Sequence, residues 1–147
     1  MNLPKQSFLA LAAIGWADGS LQSIEAKGLL RAAGEAGLTG DDFAAIEHAV
    51  TNKTTLDGVD VSGMSPWEQV LTYALAAWLA QLDGVVSTSE KGPLTDLGDR
   101  LGLALPLRVR AAAAANDIAC LPGGGRPERY DFQKLGTRLK EKLPQVK

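Results

Sequence analysis

The sequence matches itself when it is shifted by 65 residues. The matches fall on an Asp-Gly pair, on a glutamate after it, and on a later Gly-Leu pair. Identical residues include Ala12, Asp18, Gly19, Glu25, Leu29, Gly37 and Leu38 in the first half, which match Ala77, Asp83, Gly84, Glu90, Leu94, Gly102 and Leu103 in the second. Matches at a loop, a helix start and a helix end indicate a duplicated helix–loop–helix unit that packs against its copy. We therefore predict one domain over residues 1–147, with related units at about 5–51 and 65–120.

Composition favours helices over strands in both units. Hydrophobic residues make up 46% of the 147 residues and aromatic residues only 5%, and alanine is frequent. A domain of this length can bury a substantial core, and small side chains suit closely packed helices better than a sheet. We expect an all-α fold, a compact bundle of about seven helices with an internal pseudo-two-fold repeat. The predicted helices cover about 5–17, 24–36, 40–51, 66–82, 89–101, 105–120 and 127–143, and the polar segment 51–63 is predicted to be a linker.

The fourth predicted helix has the clearest signals. Ser65 suits the N-cap, Pro66 suits the first helical position, and Glu68 completes the spacing of a capping box. Apolar residues from Trp67 to Leu82 then occupy one continuous face. The first predicted helix is apolar on most sides and is expected to be central. Shorter apolar stripes mark three other helices: Phe43, Ile46 and Val50; Leu94, Leu97 and Leu101; Phe132, Leu135 and Leu139.

Both repeated loops carry the second half of a calcium-loop pattern. The first reads Asp-Gly-Ser-Leu-Gln-Ser-Ile-Glu over residues 18–25, and the second reads Asp-Gly-Val-Val-Ser-Thr-Ser-Glu over 83–90. In an EF-hand the fifth position, the invariant glycine and the final glutamate have this spacing, and hard cations such as Ca²⁺ and Mg²⁺ prefer oxygen ligands. The predicted ligands of a divalent metal ion are Asp18, Glu25, Asp83 and Glu90.

The first half of the calcium-loop pattern is missing from both loops. The first and third ligand positions would fall on Ile14 and Trp16, and on Leu79 and Gln81. Calcium needs roughly six to eight oxygens, so a conventional EF-hand is excluded. Water, or residues from elsewhere in the fold, would have to complete the shell.

The same loops also have a purely structural interpretation. Asp-Gly is a common way to end a helix and turn the chain, and Ser87 with Glu90 has the spacing of a capping box. Glu25 lies in the first turn of a predicted helix, where the helix dipole favours a carboxylate without any metal. Both interpretations stay open on these residues alone.

One pattern occurs twice, over about 8–38 and 73–103: an apolar helix, the Asp-Gly…Glu loop and a second helix that ends in Gly-Leu. This repeated pattern resembles the TerB-like family. That family includes the tellurite-resistance protein TerB and the N-terminal domain of the membrane J-domain co-chaperone DjlA. The resemblance implies an all-α fold with internal pseudo-symmetry and a divalent-metal site at the four acidic positions. It also implies a role in tellurite resistance and wider stress responses, alongside membrane-associated partners. Unlike the family pattern, this chain has no dense acidic patch beside those positions.

Charge and hydropathy exclude other partners. The net charge is −2 and the pI about 5.4, so no basic field attracts nucleic acid. The apolar run 71–82 is shorter than the ~20 residues that span a membrane, so the chain is not expected to be membrane-spanning. Lys5 and the apolar run 8–14 resemble a signal peptide, but no small-x-small cleavage site follows. The segment is therefore predicted to be a core helix, and the protein is expected to be cytoplasmic.

Signals for catalysis are missing. His48 is the only histidine and has no second ligand at zinc spacing, and the glycines at 123–125 lack the Lys-Ser/Thr of a P-loop. Cys120 lies among apolar neighbours and is expected to be buried and inert. We therefore expect that the protein is not an enzyme and has no small-molecule substrate. A hydrolase with paired carboxylates would need two carboxyl groups facing each other in a cleft, which a sequence cannot show.

Two functional hypotheses follow from these features. In the first, a non-enzymatic TerB-like domain binds a divalent cation through its paired loops and supports a stress-response assembly with a protein partner. In the second, the chain is a helical protein–protein interaction module whose loops are purely structural. The two hypotheses differ in whether the loops bind metal.

Overall fold

Seven α-helices make up most of the part of the chain that the structure describes. The structure is a computed structural model and describes residues 3–16, 23–80, 88–122, 130–144 and 146, with the backbone alone at 80 and 88–93. These ranges contain no β-strand, so the all-α prediction is confirmed. The helices are α1 Lys5–Trp16, α2 Ser23–Glu35, α3 Gly40–Thr51, α4 Pro66–Ala80, α5 Thr88–Arg100, α6 Leu105–Ala119 and α7 Phe132–Lys142.

Helix α4 begins with the capping box that the sequence predicts. The backbone N–H of Ser65 donates to Glu68 Oε1 (2.8 Å), and the N–H of Glu68 donates to Ser65 Oγ (3.2 Å). These two bonds satisfy amides that the first turn of a helix leaves without partners. The start of α4 is therefore fixed by local sequence.

Helix α7 begins later than predicted. The sequence places its start near residue 127, but Tyr130 and Asp131 are not helical and the helix starts at Phe132. Asp131 is the N-cap, because its Oδ1 accepts a hydrogen bond from the Lys134 backbone N–H at 3.0 Å. The predicted inward stripe is nevertheless confirmed, since Phe132, Leu135 and Leu139 are buried.

Helices α1 and α4 form the centre of the bundle and pack against each other. Helix α1 also contacts α2 and α3, while α4 contacts α5 and α6. The prediction of a central α1 is confirmed by the burial of most of its residues. For α4, the sequence predicts burial of one face only, but every residue from Val70 to Leu79 is buried, so the buried surface extends around the whole helix. Contacts with three neighbouring helices, α1, α5 and α6, account for this burial.

A small polar cluster lies inside the contact between α1 and α4. Ser7 and Thr72 are fully buried, and their hydroxyl oxygens lie 2.8 Å apart. Thr72 Oγ1 also lies 2.6 Å from the Glu68 carbonyl oxygen, and Ser7 Oγ lies 3.7 Å from Met64 Sδ. The two buried hydroxyls therefore have partners, as buried polar groups require.

Helix α6 packs along α4 through small side chains. Ala111, Ala114 and Ala115 have no exposed surface, so the inward side of α6 consists largely of alanine. Tyr130 closes the end of this contact, since its hydroxyl donates to the Ala115 carbonyl at 3.0 Å. Burial raises the pKa of the Tyr130 hydroxyl well above its ordinary value. Its ring stacks on Trp78, with ring centroids 4.4 Å apart.

The linker between α3 and α4 is attached to the bundle. It contains one short 3-10 helix, Leu56–Gly58. Arg100, at the end of α5, donates to the Leu56 carbonyl (3.2 Å) and to Asp57 Oδ1 (2.7 Å). The predicted polar linker thus contains ordered structure that contacts the second half of the chain.

Candidate functional site

The structure describes only part of the predicted metal site. Asp18 lies in residues 17–22 and Asp83 lies in residues 81–87, both outside the described residues. Glu90 lies in α5, but its side chain is also outside the described part. Of the four predicted ligands, only Glu25 can be placed as a side chain.

Glu25 is the third residue of α2 and lies in its first turn. It is 6% exposed, and it is the one charged residue among those described that is buried. The positive end of the helix dipole stabilises a carboxylate at this position. A carboxylate so far removed from water must be paired, hydrogen-bonded or bound to a cation. Burial of Glu25 therefore agrees with both predicted roles, structural and ligand.

The helices that follow the two loops end in the same way. At the end of α2, Gly37 has a φ of +85° and donates to the Gly34 carbonyl (3.1 Å), while Leu38 donates to the Ala33 carbonyl (3.2 Å). This pair of bonds is a Schellman motif, in which glycine adopts the left-handed conformation at low cost. The predicted stop of α2 at Gly-Leu is confirmed.

The end of α5 has the second Schellman motif. Gly102 has a φ of +71° and donates to the Asp99 carbonyl (3.1 Å). Leu103 donates to the Gly98 carbonyl, also at 3.1 Å. The predicted stop of α5 is confirmed as well, so both helices that carry a predicted glutamate end in matching turns.

No second candidate metal centre lies in the described ranges. Within them, no three His, Cys, Asp or Glu side chains are grouped closely enough to hold a metal ion. His48 is exposed on α3. Cys120 follows α6 and is exposed, so the prediction of a buried thiol is wrong. The apolar neighbours misled that prediction, because Cys120 is on the outward side of the helix end while Ile118 is on the inward side.

A groove that the sequence did not predict lies between the start of α4 and α7. It has a volume of about 510 Å³ and is lined by Trp67, Glu68, Leu71, Phe132 and Lys140, among others. The Lys140 ammonium lies 5.5 Å from the centre of the Trp67 ring, within the range of a cation–π contact. Only the fold brings these two segments together, so no local sequence signal could have found the groove.

A second unpredicted feature is the outward side of α6. Leu105 is 70% exposed and Val109, one turn later, is 61% exposed. The sequence analysis predicts a helix over about 105–120 and assigns no role to its outward side. The i, i+4 spacing of Leu105 and Val109, opposite the buried alanines, is the signal that could have revealed this face.

Comparisons with protein families, with curated proteins and with solved structures found no match to this chain. Among the helices that the structure describes, none has both the length and the apolar composition needed to cross a bilayer. The candidate site is thus defined by the chain's own residues: the two loop–helix corners, with Glu25 as their described carboxylate.

Proposed function

We propose that this chain is a non-enzymatic, TerB-like helical domain, built from two copies of one helical unit, whose two loop–helix corners bind a divalent cation. The supporting observation is the spacing of the helices. Helix α2 runs from residue 23 to 35 and α5 from 88 to 100, so both ends are 65 residues apart. Helices α3 and α6 begin at residues 40 and 105, again 65 apart.

Two further observations support a duplicated unit. The left-handed glycines of the two Schellman motifs, Gly37 and Gly102, differ by the same 65 positions. Ser7 and Thr72 also differ by 65 positions, and they touch each other in the core. In a pseudo-two-fold arrangement, residues that contact their own counterpart lie on the symmetry axis.

The duplication gives the acidic corners equivalent places. Glu25 and Glu90 are each the third residue of their helix, and Asp18 and Asp83 each precede that helix by five positions. A carboxylate before the helix and another in its first turn offer the oxygen ligands that hard divalent cations prefer. The burial of Glu25 is compatible with a ligand role, since a buried carboxylate must have a partner and a bound cation is one such partner.

Calorimetric titration with Ca²⁺, Mg²⁺, Mn²⁺ and Zn²⁺ tests the cation site. We expect saturable binding to the wild-type chain and its loss in the double variant Asp18→Ala/Asp83→Ala. The matched control is Asp41→Ala/Asp42→Ala, which removes two exposed carboxylates from the first turn of α3 and should leave binding unchanged. Absence of heat and of a thermal shift with all four metals would refute the cation site.

The biological part of the proposal rests on the resemblance to the TerB-like family. We propose a role in tellurite resistance or a general stress response, in the cytoplasm, with a membrane-associated protein as partner. A strain lacking the gene should grow poorly on tellurite, and the wild-type gene should restore growth where the Asp18→Ala/Asp83→Ala form does not. Equal growth of all three strains on tellurite and under oxidative stress would contradict this role.

A helical interaction module with purely structural loops is the second candidate. The exposed apolar pair Leu105 and Val109 on α6 favours it, because adjoining exposed aliphatic side chains often mark a protein contact. The metal titration separates the two candidates. If none of the four metals binds the protein or shifts its melting temperature, the interaction module is the candidate that remains.

A further inference from the structure

The outward side of α6 has no charged residue at its centre. On a helical projection with 100° per residue, Leu105, Val109, Ala113, Asn116 and Cys120 form one stripe, opposite the side that packs on α4. Four of the five are exposed, and Ala113 is half-buried. Helices at a protein surface ordinarily carry charged residues on this side. The stripe thus has the composition of a face that packs against another helix.

Helix α3 provides a comparison within the same molecule. It also packs on a central helix, α1, and its exposed residues include Asp41, Asp42, Glu47 and His48. The outward side of α3 is therefore a normal solvated surface. The apolar stripe of α6 does not follow from its place in the bundle, because α3 has an equivalent place and no such stripe.

The charges beside the stripe are arranged to match a second copy of the same helix. Arg110 and Asp117 lie seven residues apart, on the same edge of the stripe. In an antiparallel pair of identical helices, residues on the same edge face each other across the axis. With the axis close to Ala113, Arg110 of one copy lies beside Asp117 of the other, and this pair occurs twice.

Each of the two side chains can form a further hydrogen bond beyond those within the described residues. Arg110 is exposed and has no ion-pair partner in the described ranges. Asp117 contacts Arg138 Nε (2.9 Å) and Lys142 Nζ (3.6 Å), but both contacts use Oδ2. Oδ1 remains able to accept from an arginine of another molecule. Ala113, midway along the stripe, and Ala112 beside it leave room for close approach of the two helices.

We infer that the chain forms a homodimer in which two α6 helices pack antiparallel through Leu105, Val109 and Ala113, with reciprocal Arg110–Asp117 ion pairs. The partner is a second copy because one surface supplies both the apolar stripe and the complementary charges. Dimerisation through α6 does not depend on cation binding at the loop corners, so the two can fail separately.

Sedimentation equilibrium of the full chain, over a wide concentration range and without added metal, tests the dimer. The wild type should show a monomer–dimer equilibrium, and Val109→Glu should raise the dissociation constant at least about tenfold, since it buries a charge in the interface. The matched control is Ala44→Glu on the exposed side of α3, which should leave the constant unchanged. A wild type that stays monomeric at every concentration would overturn the inference. The stripe would then be a contact surface for a different protein.

A charge-reversal pair tests the orientation. Arg110→Glu places a glutamate beside the partner's aspartate and should weaken the dimer at low salt more than at high salt. Lys53→Glu makes the same charge change in the exposed linker and should have no effect. Equal dissociation constants for wild type and Arg110→Glu would refute the proposed ion pairs.

Disulfide trapping gives an independent measure of the orientation. In an antiparallel pair centred near Ala113, the two Cys120 residues lie about 20 Å apart along the axis, so the wild type should not crosslink under mild oxidation. The variant Ala113→Cys in a Cys120→Ser background should crosslink to a dimer. Efficient crosslinking of the wild type through Cys120, or no crosslinking of the Ala113→Cys variant, would exclude the antiparallel arrangement. Unchanged thermal melting of each variant shows that its fold is intact.

Discussion

Ser7 of α1 and Thr72 of α4 are both fully buried, and their hydroxyl oxygens lie 2.8 Å apart at the centre of the bundle. The pair joins the two central helices by a polar contact inside an otherwise apolar interface. Removing one partner of a buried hydrogen bond lowers the stability of the fold, because the bond is lost where water cannot replace it. The contact therefore favours one relative placement of α1 and α4.

The two hydroxyls should be energetically coupled. We expect Thr72→Val and Ser7→Ala each to lower the free energy of unfolding by about 1–3 kcal/mol. The double variant should lose less than the sum of the two, because each single variant already removes the hydrogen bond between the two hydroxyls. Chemical denaturation of the four proteins measures the coupling. Strict additivity would mean that the two groups do not interact.

Substitution of the two left-handed glycines by alanine should lower the stability of the fold, whereas the same substitution of a neighbouring helical glycine should not. Gly37→Ala and Gly102→Ala should each destabilise by about 1 kcal/mol, because alanine is strained at the positive φ of both sites. Gly34→Ala is the matched control: it lies in α2 with open space around a new Cβ and should stabilise the helix by about 0.5–1 kcal/mol. Thermal melting of the three variants checks the order, and a destabilised Gly34→Ala would contradict it.

The N-cap of α7 should contribute measurable stability. Asp131→Ala removes the acceptor of the Lys134 N–H and should cost about 1 kcal/mol, whereas Asp131→Ser keeps a capping oxygen and should cost less. Equilibrium unfolding of both variants provides the comparison. If alanine and serine are equivalent at this position, the cap does not stabilise α7.

The contact between Asp117 and Arg138 should make stability depend on acid pH. The hydrogen bond from the guanidinium, together with the nearby charges of Arg138 and Lys142, lowers the pKa of Asp117 below its ordinary value of 3.8. A carboxyl with a lowered pKa in the folded state stabilises it above the ordinary value, and that contribution is lost as the pH falls through the folded pKa. Wild type should therefore be more stable than Asp117→Asn at pH 7, and the difference should shrink below pH 3.8.

Urea unfolding at a series of pH values measures this difference. The effect should be modest, because both side chains are about 40% exposed and water screens their attraction. A difference between wild type and Asp117→Asn that stays constant from pH 7 to pH 2 would contradict the assignment.

Local signals predicted most of the helix starts and stops. The capping box at Ser65 and the Gly-Leu pairs after α2 and α5 each act within a few residues, so they can be recognised in the sequence and are confirmed in the structure. The predicted start of α7 near residue 127 is too early, because the residue that caps the helix is Asp131.

Features that depend on packing could not be predicted in this way. The all-round burial of α4 follows from its contacts with α1, α5 and α6, which a single apolar face does not indicate. The exposure of Cys120 and the apolar outward stripe of α6 depend on which side of that helix meets α4. For the predicted metal site, the structure places Glu25 alone, so coordination by Asp18, Asp83 and Glu90 stays a prediction.

The linker between the two halves can be severed in principle without separating them. Helix α4 contacts α1 from the other half, and Arg100 holds Leu56 and Asp57 against the end of α5. Proteolytic nicking near residues 52–55 should therefore yield two fragments that migrate as one particle. Because the central helices α1 and α4 lie on either side of this linker and contact each other, we expect the residues before and after it to unfold as one cooperative unit.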